Sequence, residues 1–281
     1  MKKTNIMLGL AALLAGLSLA SCGHFEVGND KIVIGLECNY APFNWTEASE
    51  NSFTLPISNH ADSFADGYDV QIGKLLGEKL GKEVVIVEQQ WESLIPDLQT
   101  GSINAIIAGM TDNAERRQAI DFTDEYYRSE LVFVVTAEEA AKFTGVIRAE
   151  EVASFVNGKM FVSQVQTMTD DIIEDKLKKM GAIHNTPVST FALAAQDVAR
   201  GSAYAMTAEY PVAQSIVASN NALGIVRIDQ SVLGDLSDLG VSIGIKKGND
   251  SFRDDLNRAL ADISQEQRNT LMAEAVARSA N

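Results

Sequence analysis

The residues best suited to chemistry stand just after the short apolar runs of this sequence. Arg116 comes after Ala105-Ile106-Ile107-Ala108 and the linking Gly109-Met110-Thr111. A hydroxyl, the free N–H groups of a helix start and a guanidinium converge there. That combination favours a carboxylate, through the helix dipole and a bidentate fork. Arg116 could equally pair with Glu115 or Asp121 on the surface, as its neighbour Arg117 is expected to do. Glu37 follows another apolar run and stands near Tyr40, Phe43 and Trp45, beside the turn-forming Pro42. A carboxylate among aromatic rings can hold a cation. Trp91, the stretch Gln164 to Thr167, and Glu209 follow further runs. Taken singly, Trp91 reads as well as core, and Glu37 and Glu209 are two of 38 acids. The weight comes from their lying at equivalent places in the chain.

Those places are strand ends. Lys31-Ile32-Val33-Ile34-Gly35 is a β-rich run, and Val84-Val85-Ile86-Val87 reads as a parallel strand buried on both faces. Ala105–Ala108, Leu131–Val135, Lys159–Ser163, Ala203–Thr207, Leu223–Ile228 and Val241–Lys246 complete the strands. Helices are expected over Val70–Leu80, Glu92–Thr100, Asp170–Met180 and Phe191–Arg200, each stopped by glycine. Asn113 caps a helix beginning at Ala114, Pro211 opens another, and Ser264-Gln265-Glu266-Gln267 is a capping box for the last. Strands alternating with helices imply an α/β fold with parallel sheets. Such sheets take ligands beyond the carboxyl ends of their strands.

The composition narrows the function further. Of 281 residues, 38 are Asp or Glu and 23 Lys or Arg, a formal charge of −15. An acidic chain is a poor partner for phosphate backbones, so nucleic acid is set aside. Two cysteines and three scattered histidines build neither a disulfide framework nor a zinc site. No cofactor and no metal are expected, and no nucleophile elbow, P-loop or dinucleotide fingerprint is found. Lys2 and Lys3 precede the apolar run Ile6–Ala20, which is too short to span a membrane. It ends in Leu19-Ala20-Ser21-Cys22, so residues 1–21 read as a secretory signal. The cleavage region resembles a bacterial lipobox, with Cys22 diacylated and residues 22–30 a tether. Removing residues 1–21 takes away Lys2 and Lys3, leaving 21 bases against 38 acids, a charge of −17. Cys38, then the sole free thiol, reads as a small packed residue.

Several segments together resemble one family. They are Tyr40-Ala41-Pro42-Phe43, Gly67-Tyr68-Asp69-Val70, Trp91-Glu92-Ser93-Leu94-Ile95-Pro96-Asp97-Leu98, and Gly101 through Thr111. Glu115-Arg116-Arg117 and Ile120-Asp121-Phe122-Thr123-Asp124-Glu125-Tyr126-Tyr127 complete them. In this order they resemble the amino-acid-binding lipoproteins of polar-amino-acid ABC importers, on the type II periplasmic-binding-protein fold. The resemblance implies two lobes joined by two hinge strands: lobe 1 over 31–133 and 239–281, lobe 2 over 134–238. It implies that Arg116 holds a ligand α-carboxylate, with the Thr167 N–H adding a contact. The Gly109 carbonyl, the Thr111 hydroxyl and Glu209 would receive the α-ammonium. Tyr40 and Trp91 would sandwich the side chain, and Glu37 would meet its far end. Three departures stand out. Gln166 occupies a position often Gly, which suggests a reshaped loop, and Glu209 one often Asp. Residues 46–66 look like an insertion, a hairpin near the cleft mouth.

Selectivity then falls to Glu37, Tyr40, Trp91 and Gln164. One acid beside aromatic faces suits a cationic L-amino acid, Lys, Arg or His, with a neutral one such as glutamine as the alternative. The partners implied are that free amino acid, a membrane permease with its ATPase, and the membrane itself through lipidated Cys22. The protein would be a monomer on the extracytoplasmic side of the cell membrane. An enzyme of another class, a secreted cyclohexadienyl-type dehydratase, shares the fold. It needs a poised general acid, which Glu37 or Glu209 could supply.

Overall fold

The computed structural model describes residues 30–234 and 240–280. The expected signal, the Cys22 lipidation site and all of the tether but its last residue lie outside that range. The chain opens with β1 (Lys31–Leu36). The short strands β2 (Asn39–Tyr40), β3 (Asn44–Glu47), β4 (Leu55–Pro56) and β5 (Phe64–Asp66) follow. Next come α1 (Tyr68–Leu80), β6 (Glu83–Glu88), α2 (Leu94–Thr100), β7 (Ala105–Ile106), α3 (Arg116–Ala119) and β8 (Ile120–Tyr127). A second run holds β9 (Leu131–Thr136), α4 (Ala137–Ala140), β10 (Val146–Ile147), α5 (Ala149–Val156) and β11 (Met160–Val162). It continues with α6 (Met168–Ile172), β12 (Ile183–His184), α7 (Phe191–Arg200), β13 (Ala205–Glu209), α8 (Tyr210–Ser219) and β14 (Leu223–Ile228). The chain closes with β15 (Val241–Lys246), α9 (Asp250–Ala261) and α10 (Gln265–Ser279).

Two sheets organise two lobes. The first has the order β6-β1-β7-β15-β8 and the second β10-β14-β9-β13-β11-β12. β1 pairs in parallel with β6 and β7, and Ile32, Ile34 and Leu36 are fully buried, as an apolar strand between two helical layers requires. Each sheet carries one strand antiparallel to both its neighbours: β15 in the first, β9 in the second. These are the strands entered from the other lobe. The first passage, between β8 and β9, is residues 128–130, so β9 lies wholly in the second sheet and the expected boundary at 133/134 falls inside it. The second passage runs from β14 to β15.

Several local expectations are adjusted. The helix after Asn113 is a single turn, α3, because Ile120 turns extended at once; Asn113 still accepts the Arg116 N–H through its Oδ1 (2.8 Å). The stretch 170–180 is helical but changes form, α6 giving way to a π turn over Ile173–Leu177 and a 3₁₀ turn over Lys178–Met180 before Gly181. Residues 46–66 contain a hairpin, β4 pairing antiparallel with β5. They contribute to a four-stranded sheet, β2-β3-β5-β4, laid along the flank of lobe 1. Ile57 bridges Ile86 on the otherwise open edge of β6, covering backbone groups that would otherwise invite another strand. Arg278 at the end of α10 clasps this sheet through two hydrogen bonds to buried Asp66 (2.8 and 2.9 Å).

Candidate functional site

All nine sequence-predicted contact residues line one cavity between the lobes: Glu37, Tyr40, Trp91, Gly109, Thr111, Arg116, Gln164, Thr167 and Glu209. Met168 and Phe191 complete the lining. Both were missed, although each is the first residue of a helix that the topology aims at the cleft, α6 and α7 respectively. Inspecting helix starts as well as strand ends finds them.

Arg116 is turned inward. Its Nη1 donates to the Thr111 carbonyl (2.8 Å) and hydroxyl (2.6 Å), and its Nη2 donates to the Gln166 carbonyl (3.0 Å). The guanidinium lies over the Trp91 ring, 5.2 Å from the centroid. Surface pairing belongs instead to Arg117, which meets Asp112. Burial lowers the Arg116 pKa to about 10, opposed by the charges of Asp171, Glu115, Glu209 and Asp112, so it remains a cation at neutral pH. Because α3 is one turn long, the expected help from a helix dipole is withdrawn, and anion affinity here rests on the guanidinium.

Glu37, at the end of β1, is 4% exposed. It accepts a hydrogen bond from Gln164 Nε2 across the cleft (2.8 Å). Burial raises its pKa to about 7; the Gln164 amide opposes the rise and the Glu92 charge adds to it. Glu209, at the end of β13, accepts from the Tyr40 hydroxyl (2.6 Å). Its pKa is also raised by burial, against the pull of Tyr40 and the Arg116 charge. Tyr40 and Trp91, the expected sandwich, both line the cavity, and each stacks on protein neighbours. Tyr40 stacks on Phe43 and Phe191, with centroids 5.2 and 4.8 Å away, while Trp91 stacks with Arg116.

Behind the first-lobe wall lies a polar network. Fully buried Asp69 accepts from the Tyr126 hydroxyl (2.7 Å) and from Asn44 Nδ2 (2.8 Å). The Gly109 N–H donates to the Tyr126 hydroxyl (3.1 Å), and the Cys38 N–H to Asn44 Oδ1 (2.9 Å). Burial pushes the Asp69 carboxyl up to about 7 despite these donors. Gly109 has φ +59, and a Cβ there would lie 2.8 Å from the Tyr40 ring. Only glycine fits both constraints. Cys38 is buried, as expected of a packing residue, with φ +57.

The second-lobe wall is a loop. Thr167 caps α6, accepting the Asp170 N–H, and its hydroxyl donates to the Gln164 carbonyl (2.6 Å). Gln166 has φ +60. Gln166 thus adopts the left-handed conformation that glycine takes without cost. Its carbonyl accepts from both Arg116 and Trp91 Nε1 (3.0 Å each). Nothing in its side-chain type foretold that contact.

Among known proteins, the arginine-binding extracellular protein ArtP of Bacillus subtilis is 29% identical over 138 residues, 48% of each chain. That match spans about half of the relative's length. The putative ABC transporter arginine-binding protein 2 of Escherichia coli is 24% identical over 257 residues, 92% of this chain and 93% of the relative. The fold is similar to that of the amino acid ABC transporter substrate-binding protein AbpA of Streptococcus pneumoniae, solved bound to L-arginine. The TM-score is 0.72 at 18% identity, over 90% of this chain and 97% of the other. The family model of bacterial extracellular solute-binding proteins, family 3, matches residues 32–274. That span takes in both lobes and every residue of the cavity lining, and the chain belongs to this family.

Proposed function

We propose that the protein is the solute-capturing component of an amino-acid ABC importer and takes a free L-amino acid with a cationic side chain, Lys, Arg or His. The observation that carries this reading is the charge of the cavity, which sets Glu37 and Glu209 against the single cation Arg116. Arg116 takes the α-carboxylate, joined by the Thr167 N–H. Glu209, the Gly109 carbonyl and the Thr111 hydroxyl receive the α-ammonium. Glu37 is then the unmatched acid, and a side-chain cation neutralises it; buried charge is tolerated only when matched. The two relatives named for arginine support the same class.

Function follows from population shift. Ligand held on the first lobe gains further contacts when the second closes, so binding favours the closed form, which then docks on a permease with its ATPase. The protein works as a monomer outside the cytoplasmic membrane, held by two acyl chains on Cys22, and loses its membrane fraction in Cys22→Ala. Titration calorimetry against all twenty amino acids tests the ligand. Heat with L-arginine, L-lysine or L-histidine is expected, and none with any of the three ends this reading. Heat with glutamine alone would favour the neutral alternative, since a carboxyl shifted to about 7 also hydrogen-bonds an amide. The same shift gives a dehydratase its one supporting observation, a general acid poised near neutrality. Prephenate or arogenate left unchanged after incubation removes that alternative.

A further inference from the structure

Gln166 stands in a backbone region that glycine enters freely and β-branched residues all but avoid (φ +60). Its carbonyl, on the second lobe, is the shared acceptor for two donors of the first: Trp91 Nε1 and Arg116 Nη2, each at 3.0 Å. The loop that carries it is fixed on both sides. Val165 donates its N–H to the Val188 carbonyl (2.9 Å), and the Thr167 hydroxyl donates to the Gln164 carbonyl. The Arg116 guanidinium thus spans the lobes, with Nη1 on Thr111 of its own and Nη2 on Gln166 of the other.

We propose that Gln166 is a positioning residue: its left-handed backbone aims its carbonyl at Trp91 and Arg116 and so latches the second lobe onto the two first-lobe side chains that hold the ligand. The ligand half of this statement rests on the amino-acid reading above; the latch does not. A carboxylate bound by Arg116 and the latch share one guanidinium, so each orients it for the other, and binding and closure reinforce each other. The side chain of Gln166 takes no part. The backbone conformation does the work, which gives an ordering that a side-chain contact cannot give.

The test compares Gln166→Gly with Gln166→Val. In a Trp45→Phe background Trp91 is the remaining tryptophan, and its emission reports the latch during stopped-flow mixing with L-arginine. Glycine keeps the left-handed turn, so the dissociation rate stays within about twofold of the parent. Valine resists that turn, so dissociation speeds up about tenfold, while the association rate is unchanged. Equal loss in both variants assigns the effect to the side chain and overturns the proposal, as does no loss in either. Spin labels at Glu78→Cys and Lys179→Cys, one exposed site on each lobe, separate the latch from the ligand reading. With or without amino acid, valine must lower the short-distance population relative to parent and glycine. If L-arginine fails to bind the parent, the ligand reading falls, and the label distances alone decide the latch. Equal short-distance populations in all three proteins overturn it.

Discussion

The two walls of the cavity are held in different ways. Glu37, Tyr40, Gly109, Thr111 and Arg116 stand on the first lobe, just beyond β1, in β2, beyond β7 and at the start of α3. Asp69, Tyr126 and Asn44 tie the backbone of Gly109 and Cys38 from behind. Gln164 and Thr167 of the second lobe stand instead on a loop closed by its own hydrogen bonds, and Glu209 is fixed mainly by Tyr40 of the other lobe. The first-wall backbone is tied from within its own lobe, while its side chains Glu37, Tyr40 and Arg116 also bond across the cleft to Gln164, Glu209 and Gln166. On the proposed amino-acid reading, the invariant part of the ligand is held by the first wall, where misplacement by an ångström is costly. Discrimination and closure belong to contacts that cross the cleft.

The largest test of that division is Arg116→Ala. Losing a buried, charge-assisted fork should weaken L-arginine binding by roughly 10²–10³-fold, with circular dichroism unchanged. Calorimetry showing affinity within tenfold of the parent would place the carboxylate grip elsewhere.

The second test acts across the cleft. Glu37→Gln should weaken cationic ligands by roughly 10–100-fold while sparing neutral ones. The parent adds a pH signature. With its pKa raised from 4.5 to about 7, Glu37 takes up a proton as pH falls through 7. Affinity for a cation therefore drops towards about tenfold per pH unit below that point. A pH profile of Kd that stays flat in the parent, or keeps its slope in Glu37→Gln, breaks the assignment.

The smallest effect concerns the support behind the first wall. The folded pKa of Asp69 is raised from 3.8 to about 7, so between those values the folded state binds more protons than the unfolded. Its contribution to stability is greatest below the unfolded pKa and declines as pH rises towards 7. Thermal unfolding at about pH 5 and about pH 7.5 should show a smaller pH-dependent fall in Tm for Asp69→Asn than for the parent. An unchanged difference would mean that Asp69 is charged throughout.

Strand ends and helix stops were legible because burial and chain reversal act locally. The apolar run of β1 needs cover on both faces, and Gly81, Gly101 and Gly201 end their helices in left-handed conformations that favour glycine. The expectations that changed depended on neighbours distant in sequence. The single-turn α3 is cut short where Ile120 joins β8 beside β15, and residues 46–66 settle on the open edge of β6. The surroundings of Tyr40 likewise depend on Phe191, 151 positions later, which stacks on it.

By itself, then, the sequence determined which groups could meet a ligand. Residue type and position at a strand end are properties of the local chain, and the repeated α/β pattern brings such ends to one side of each sheet. Only the tertiary structure decided how those groups are spent. Arg116 divides its fork between Thr111 and Gln166, Glu209 is claimed by Tyr40, and Glu37 is drawn towards a neutral-pH proton by burial. Hydrogen-bond partners and desolvation depend on what approaches from the other lobe, and no local stretch of sequence carries that information.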